Sequence, residues 1–360
     1  MLIAAAELHR AVKMICAAAG SNDREAECVA KQLVEANLRG HDSHGVGMLP
    51  QYIAAVREGL LKTNQGVTVV SQNGSILTLD GQWGYGQVIG EEAMALGIKT
   101  ARETGLALVA LRNAHHLGRI GGWAEQCVAS GFVSMHFVNV VGVAAKVAPF
   151  GGSDARLGTN PFCIGIPAGE GEPIVLDMAT SRIAVGKVRV AKNKGEEVAE
   201  GCLVDSTGRA TRDPNVLFDT PMGALMPFGE HKGYGISVAC EILAGALTGG
   251  ITMPPGRPRP TMIINNMLTI IVDPAATGAA ETFRAEAQAV ADWVKASPKA
   301  PGVDTILVAG EPERAIRTKR LAEGVPVDAN TWAEIVAAGE SVGVSRSALL
   351  PKDAVRRNEF

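Results

Sequence analysis

LRNAHHLGRIGGWAEQ, residues 111–126, joins two different periodicities, and the way it is read decides the fold. Leu106 to Leu111 form a continuous apolar run opened by Gly105, the pattern of a buried strand. From Gly121 onward, Trp123, Ala124, Cys127 and Val128 recur at helical spacing. His115 and His116 therefore stand where a strand ends and a helix is about to start.

The same alternation continues on both sides. A helix over 88–103 precedes the strand at 106–111; a helix over 121–130 and a strand over 132–140 follow it. GVTVVSQNGSILTLDG places two short strands around Asn73-Gly74, a hairpin signal. PIVLDMATS, GCLVD and MIINNMLTIIVD add strands, with YGISVACEILAGALTG a helix between the last two. TMPPGRPRPT (252–261) reads as a surface loop, because its prolines suit neither strand nor helix.

The chain ends read as helices. Ala26, Val29, Ala30, Leu33, Val34 and Leu38 keep helical spacing, Asn22 and Glu25 form a capping box, and Gly40 stops the helix. A second helix runs through Leu49, Tyr52, Ile53 and Val56. Beyond 278, Phe283, Ala287, Val290 and Val294 form one apolar stripe, with further helices at 311–323 and 328–343. The expectation is an α+β fold. Residues 1–66 and 278–360 form a helical domain, with a mixed α/β domain over 67–277 inserted between them.

Composition narrows the function. Of 360 residues, 47% are apolar and 20% charged, with net charge −3, which suggests neither a nucleic-acid nor an anionic-membrane partner. No run of 18 apolar residues and no leader-like N-terminus is present, so the expected location is cytoplasmic. The cysteines at 16, 28, 127, 163, 202 and 240 make no CxxC pair and read as free buried thiols.

Five stretches carry more polar and glycine-rich content than packing requires: RGHDSHGVGMLPQY (39–52), NAHHLGRIGG (113–122), LGTNPFCIGIP (157–167), VLDMATSR (175–182) and FGEHKGYG (228–235). Asp42-Ser43-His44 is no hydrolase triad, since adjacent residues cannot hydrogen-bond in series. A metal site from His41, His44, His115 and His116 matches no H-x-x-x-H pair and no two-His-one-carboxylate pattern. An acid–base histidine beside a redox cofactor fits better, because imidazole titrates near neutrality. Asp177, at the end of the run Ile174–Leu176, is the carboxylate expected to orient that imidazole. No G-x-G-x-x-G follows a strand, so any dinucleotide is held by a non-Rossmann architecture.

RGHDSHGVGMLPQY, HHLGRIGGWAEQ, VAPFGG…LGTNPF, LDMATS and EHKGYG, in this order, resemble the malate/L-lactate dehydrogenase family, and within it the hydroxycarboxylate dehydrogenase subset. The resemblance covers nearly the whole chain. It implies a homodimer with a mixed-sheet domain that binds NAD or NADP, and a small 2-oxo or 2-hydroxy acid as substrate. It implies His116 as acid–base and His44, beside Ser43, lining the cofactor and substrate. It implies cofactor contacts at Gly118, Arg119 and Ile120, at Val175, Leu176, Asp177, Met178 and Ala179, and at His231 and Asn265. Gly310, Glu311, Pro312 and Glu313 complete the implied set.

Lys232 is a further candidate, a cation able to neutralise a pyrophosphate. Arg119, Arg182, Arg257 and Arg259 are candidates to meet a 2′-phosphate. Malate-type members carry arginine four residues after the Ser-His histidine, where this chain has Met48. That departure points to substrates with apolar or aromatic side chains. Two rivals stand beside this reading: reduction of a cyclic imine of the piperideine-2-carboxylate kind, and a metal hydrolase built on the histidines.

Overall fold

The computed structural model describes residues 1–350 except 170, 257–260 and 281. Arg257, Arg259 and the last ten residues of the C-terminal segment lie outside the described residues.

The helices are α1 Ala5–Ala18, α2 Asp23–Leu38, α3 Leu49–Arg57, α4 Gly86–Thr104, α5 Gly121–Ala129, α6 Val185–Lys194, α7 His231–Cys240, α8 Phe283–Lys295, α9 Glu311–Glu323, α10 Ala329–Glu340 and the single turn α11 Arg346–Leu349. The strands are β1 Leu2–Ile3, β2 Thr68–Asn73, β3 Ile76–Asp80, β4 Leu106–His115, β5 Val133–Val141, β6 Phe162–Ile166, β7 Ile174–Met178, β8 Leu203–Val204, β9 Ala210–Thr211, β10 Ala224–Leu225, β11 Ile264–Val272 and β12 Val325–Pro326.

One core joins the two ends of the chain. Leu8, Ile15, Leu33, Leu49 and Ile53 pack with Trp332, Ile335 and Leu349. β1 pairs antiparallel with β12, Ile3 opposite Val325. The capping box at α2 is half made. Asn22 accepts from the Glu25 N–H at 2.9 Å, but the Glu25 carboxylate accepts from the Asn64 N–H at 2.8 Å. Asn64 in turn accepts from the Asn22 N–H, so the cap also ties a remote turn to the helix.

The central sheet has the order β2-β3-β4-β11-β5-β6-β7. Only β3 and β4 run parallel; every other neighbouring pair is antiparallel. That order is not doubly wound. Helices α4 and α5 cover one face through Ile89, Met94, Trp123 and Ala124 on Val109, Leu111 and Met267. Their closeness demands glycine: a Cβ on Gly90 would stand 2.5 Å from the Trp123 ring.

Three details differ from the sequence reading. GCLVD contributes to a separate three-stranded sheet, β10-β8-β9, not to the central one. Helix α7 continues into a π-helical turn, Glu241–Ala246. The stripe on α8 does not join the helical core: Val290 is 58% exposed and its neighbour Trp293 79%, while Gln288 of the helix lies against Gly169 and Gly171. All six cysteines are free and buried.

Candidate active site

β4 runs four residues past the apolar stretch, to His115. Its end is held by amides. Asn113, with φ 57°, donates its N–H to Asn266, and β11 bulges between Asn265 and Met267. Asn265 then accepts from the Leu117 N–H at 2.8 Å and donates to the Asn139 carbonyl. α4 begins directly beneath. A Cβ on Gly86 would lie 2.1 Å from the His116 carbonyl oxygen, so only glycine admits this approach.

His116 is buried, with a polar partner on each ring nitrogen. Its Nδ1 is 2.6 Å from the Tyr52 hydroxyl on α3, and its Nε2 is 3.3 Å from His44 Nδ1. Gln87, at the start of α4, donates to the Tyr52 oxygen at 3.1 Å. Burial drives the His116 pKa well below the usual imidazole value, with His44 and His115 adding to the fall. Burial also lowers His44, to about 4, against the opposing pull of the Asp177 carboxylate.

His115 differs sharply from its neighbour. It is fully buried, lies edge-on to Tyr52 at 5.0 Å, and neither ring nitrogen has a partner among the described residues. Burial alone takes its pKa to about 3.

Asp177 does not orient His116. Its Oδ2 accepts from the Gly121 N–H at 2.7 Å, capping α5, because β7 delivers the carboxylate to the positive end of that helix. Tyr52 takes the orienting place at the imidazole that was expected of the carboxylate. Arg119 also turns inward. It pairs with Glu125 at 2.5 Å, Glu125 pairs with Arg39 at 3.1 Å, and the Arg119 side chain is 5% exposed. Its guanidinium is therefore committed within the protein and does not reach out towards a 2′-phosphate. Ile120 sends its side chain into the core under the sheet.

The other candidates converge from separate segments. The Phe228 N–H bonds to Thr180 O and Ser181 bridges Pro227, so α7 begins beside the segment that follows β7. His231 and Lys232 are exposed there, His231 edge-on to Phe150 at 5.9 Å. The Val175 N–H bonds to Ala309 O, which lays Gly310 along the edge of β7. Glu313 pairs with His41 at 3.6 Å, while Glu311 pairs with Lys295 and caps the Val308 N–H. Leu176, Met178 and Ala179 are half-buried along this strand, and Pro312 opens α9. Ser43 packs against Gly186 of α6. Met48 is half-buried and packs on the helical core, which accounts for an apolar residue there.

Tyr52 was legible only as a helix residue, and Gln87 fell just before the helix expected over 88–103. The signal for each is a polar group inside an apolar stripe: Tyr52 ends RGHDSHGVGMLPQY, and Gln87 interrupts a helix start. A second buried set, Asn139, Asn160 and Asn266 around Glu241, lies behind the sheet. Its signal is asparagine within strand-like runs. Among the described residues, no three His, Cys, Asp or Glu side chains gather as metal ligands would.

The profile of the family described as Malate/L-lactate dehydrogenase matches residues 3–336. The chain is 47% identical over 344 residues to hydroxycarboxylate dehydrogenase B of Escherichia coli K12, covering 95% of this chain and 94% of that one. A solved structure from E. coli, described as a malate/lactate dehydrogenase, superposes with a TM-score of 0.92 at 46% identity over 97% of both chains. Δ1-piperideine-2-carboxylate reductase from Pseudomonas syringae superposes with a TM-score of 0.81 at 28% identity, covering 94% of this chain and 99% of that one.

Proposed function

The chain belongs to the malate/L-lactate dehydrogenase family, and on that footing we propose that it interconverts 2-oxo acids and 2-hydroxy acids using NAD or NADP, with His116 moving the proton. The observation that carries this reading is the buried His116 imidazole, bonded to Tyr52 and His44 at the end of β4. An uncharged imidazole in that setting can take or give one proton without breaking an ion pair.

The surrounding residues fit a dinucleotide. Gly118 has φ 72° in the turn after His116, Gly310 has φ 94° beside Val175, and α7 presents its N-terminus with exposed His231 and Lys232. Backbone N–H groups at such turns and at a helix start suit phosphate. His44, Asp177 to Ala179 and Glu313 would line the remainder, while Asn265 acts through Leu117. The reduced nicotinamide, when bound, supplies the hydride. His116 donates to the oxygen that gains charge, and Met48 leaves that site without the cation a dicarboxylate would want. The proposed preference is for apolar or aromatic 2-oxo acids. A homodimer, carried over from the family resemblance, and a cytoplasmic location, expected from the sequence, are part of the reading. No described helix is long and apolar enough to cross a membrane.

The test is the rate of NADH and NADPH oxidation with phenylpyruvate, oxaloacetate and piperideine-2-carboxylate. The likeness to the piperideine-carboxylate reductase keeps the cyclic imine in the set. His116→Ala is expected to lose about 10²–10⁴-fold in turnover, with the cofactor dissociation constant unchanged. Near-normal turnover would remove His116 from the mechanism.

A further inference from the structure

We propose that Tyr52, anchored by Gln87, is the positioning residue that decides which edge of His116 works: Nδ1 is held, and Nε2 exchanges the proton. The proposal rests on His116 being the acid–base of the reaction above. Hydrogen-bond directions carry it.

Gln87 Nε2 lies 3.1 Å from the Tyr52 oxygen and 3.4 Å from the His116 carbonyl oxygen. A carbonyl only accepts, so the amide must turn its NH₂ to this side. The Tyr52 oxygen therefore accepts from Gln87, and its own hydrogen goes to His116 Nδ1, 2.6 Å away. A neutral imidazole that accepts at Nδ1 carries its hydrogen on Nε2. That Nε2–H points at His44 Nδ1, 3.3 Å away, which places the His44 hydrogen on its own Nε2. The donors run in one direction, from the buried amide out to half-buried His44.

Protonation reverses one link only. His116 gains a hydrogen on Nδ1, and the Tyr52 hydroxyl turns to accept it. An ionised carboxylate in this place could accept but never donate; a hydroxyl does both and adds no charge. In the reductive direction the Nε2 proton passes to the substrate oxygen. The ring is left neutral, with its hydrogen on Nδ1 and Tyr52 still bonded there. Nε2 regains a proton through His44. The groups facing His116 are Tyr52, His44 and His115, and those facing His44 are His41, Asp177 and Arg119. Only His44 has a carboxylate among them.

The test reads the tautomer directly, by ¹⁵N NMR of histidine-labelled full-length protein at neutral pH. Wild type is expected to show His116 with a bare Nδ1 and a protonated Nε2. Tyr52→Phe keeps the ring against Tyr85 and His115 and removes only the hydroxyl. It is expected to lose that tautomer preference and about 10- to 100-fold in kcat. It should leave the dissociation constant of the reduced nucleotide, read by fluorescence, unchanged. Reduction needs the protonated ring, so its rate falls as pH rises through the ring's pKa. Without an acceptor for Nδ1–H that midpoint moves to lower pH.

Gln87→Met acts one link further out and should shift the tautomer the same way with a smaller rate loss. It carries the same measurements if Tyr52→Phe does not fold. A wild-type ring protonated on Nδ1 overturns the proposal, as does a Tyr52→Phe protein with unchanged tautomer and pH midpoint. Neither result touches the functional reading, which fails separately if His116→Ala keeps its turnover.

Discussion

Two neighbouring banks of the candidate site solve burial in opposite ways. His44, Tyr52, Gln87 and His116 are joined by hydrogen bonds and carry no net charge near neutral pH, because burial holds both imidazoles deprotonated. A short distance away, Arg119, Glu125 and Arg39 form a chain of ions, with Asp177 against the start of α5. Burying a lone ion is costly, so the second bank gives each charge a partner, an opposite ion for Arg119, Glu125 and Arg39 and the Gly121 N–H for Asp177. The first avoids charge altogether. Only the uncharged bank can change its proton count without leaving a partner stranded, and that suits it to proton transfer. The charged bank holds the turn in place.

The largest test of this contrast is to break the ion chain. Arg119→Met should cost about 2–3 kcal/mol, read as a shift in the denaturant midpoint. The full penalty of a stranded charge is avoided because Glu125 keeps Arg39. Adding a cation to the uncharged bank is the converse. Met48→Arg should move the kcat/KM ratio of oxaloacetate to phenylpyruvate upward about tenfold, if roughly 1.4 kcal/mol of the new pairing appears in the transition state. An unmoved ratio would take Met48 out of substrate choice and leave it to packing.

Asp177→Asn is smaller still. The amide oxygen can go on capping Gly121, but His44 loses the carboxylate that supports its protonated form. Turnover should fall about three- to tenfold, and the His44 midpoint should move to lower pH by NMR. A His116 signal that moves more than that of His44 would place Asp177 on the wrong bank.

His115→Phe should change least. Two unpartnered buried nitrogens are replaced by carbon, so stability should hold or rise by about 1 kcal/mol or less, with turnover unchanged. Its effect shows with pH. Folded His115 stays neutral down to about 3, whereas the unfolded chain protonates it near 6.5. The unfolded state then binds the extra proton, so this residue's contribution is intact above 6.5 and is lost as pH falls from there towards 3. Phenylalanine removes that loss, and the acid-unfolding midpoint should move to lower pH.

The alternation around residues 106–140 and the helical ends were legible because period-2 and period-3.6 patterns are local properties. The strand order was not, since no local pattern states that β11, late in the chain, inserts between β4 and β5. The α8 stripe shows the limit from the other side: its spacing is helical and apolar, yet periodicity does not say what the helix faces. At the site, the histidine pair could be picked out by its place at a strand end, while the choice of His116 within the pair came from the family resemblance. Asp177 was misassigned because a carboxylate at a strand end and an imidazole at another can both be real and still point apart. Tyr52 belongs to α3, and only the packing of α3 against the end of β4 brings its hydroxyl to Nδ1.

The pairing of β1 with β12 has a consequence for how the chain is made. Ile3 leaves the ribosome about 320 residues ahead of its partner Val325, a lead of roughly 15 to 65 s at about 5–20 residues per second. During that interval α1, α2 and α3 have no Trp332, Ile335 or Leu349 to pack against, while the central sheet already has every strand once β11 emerges. The part of the helical core that Trp332, Ile335 and Leu349 cover therefore stays open until the C-terminal helices are made. That makes these early helices, α3 with its Tyr52 among them, the place where a chaperone would be needed.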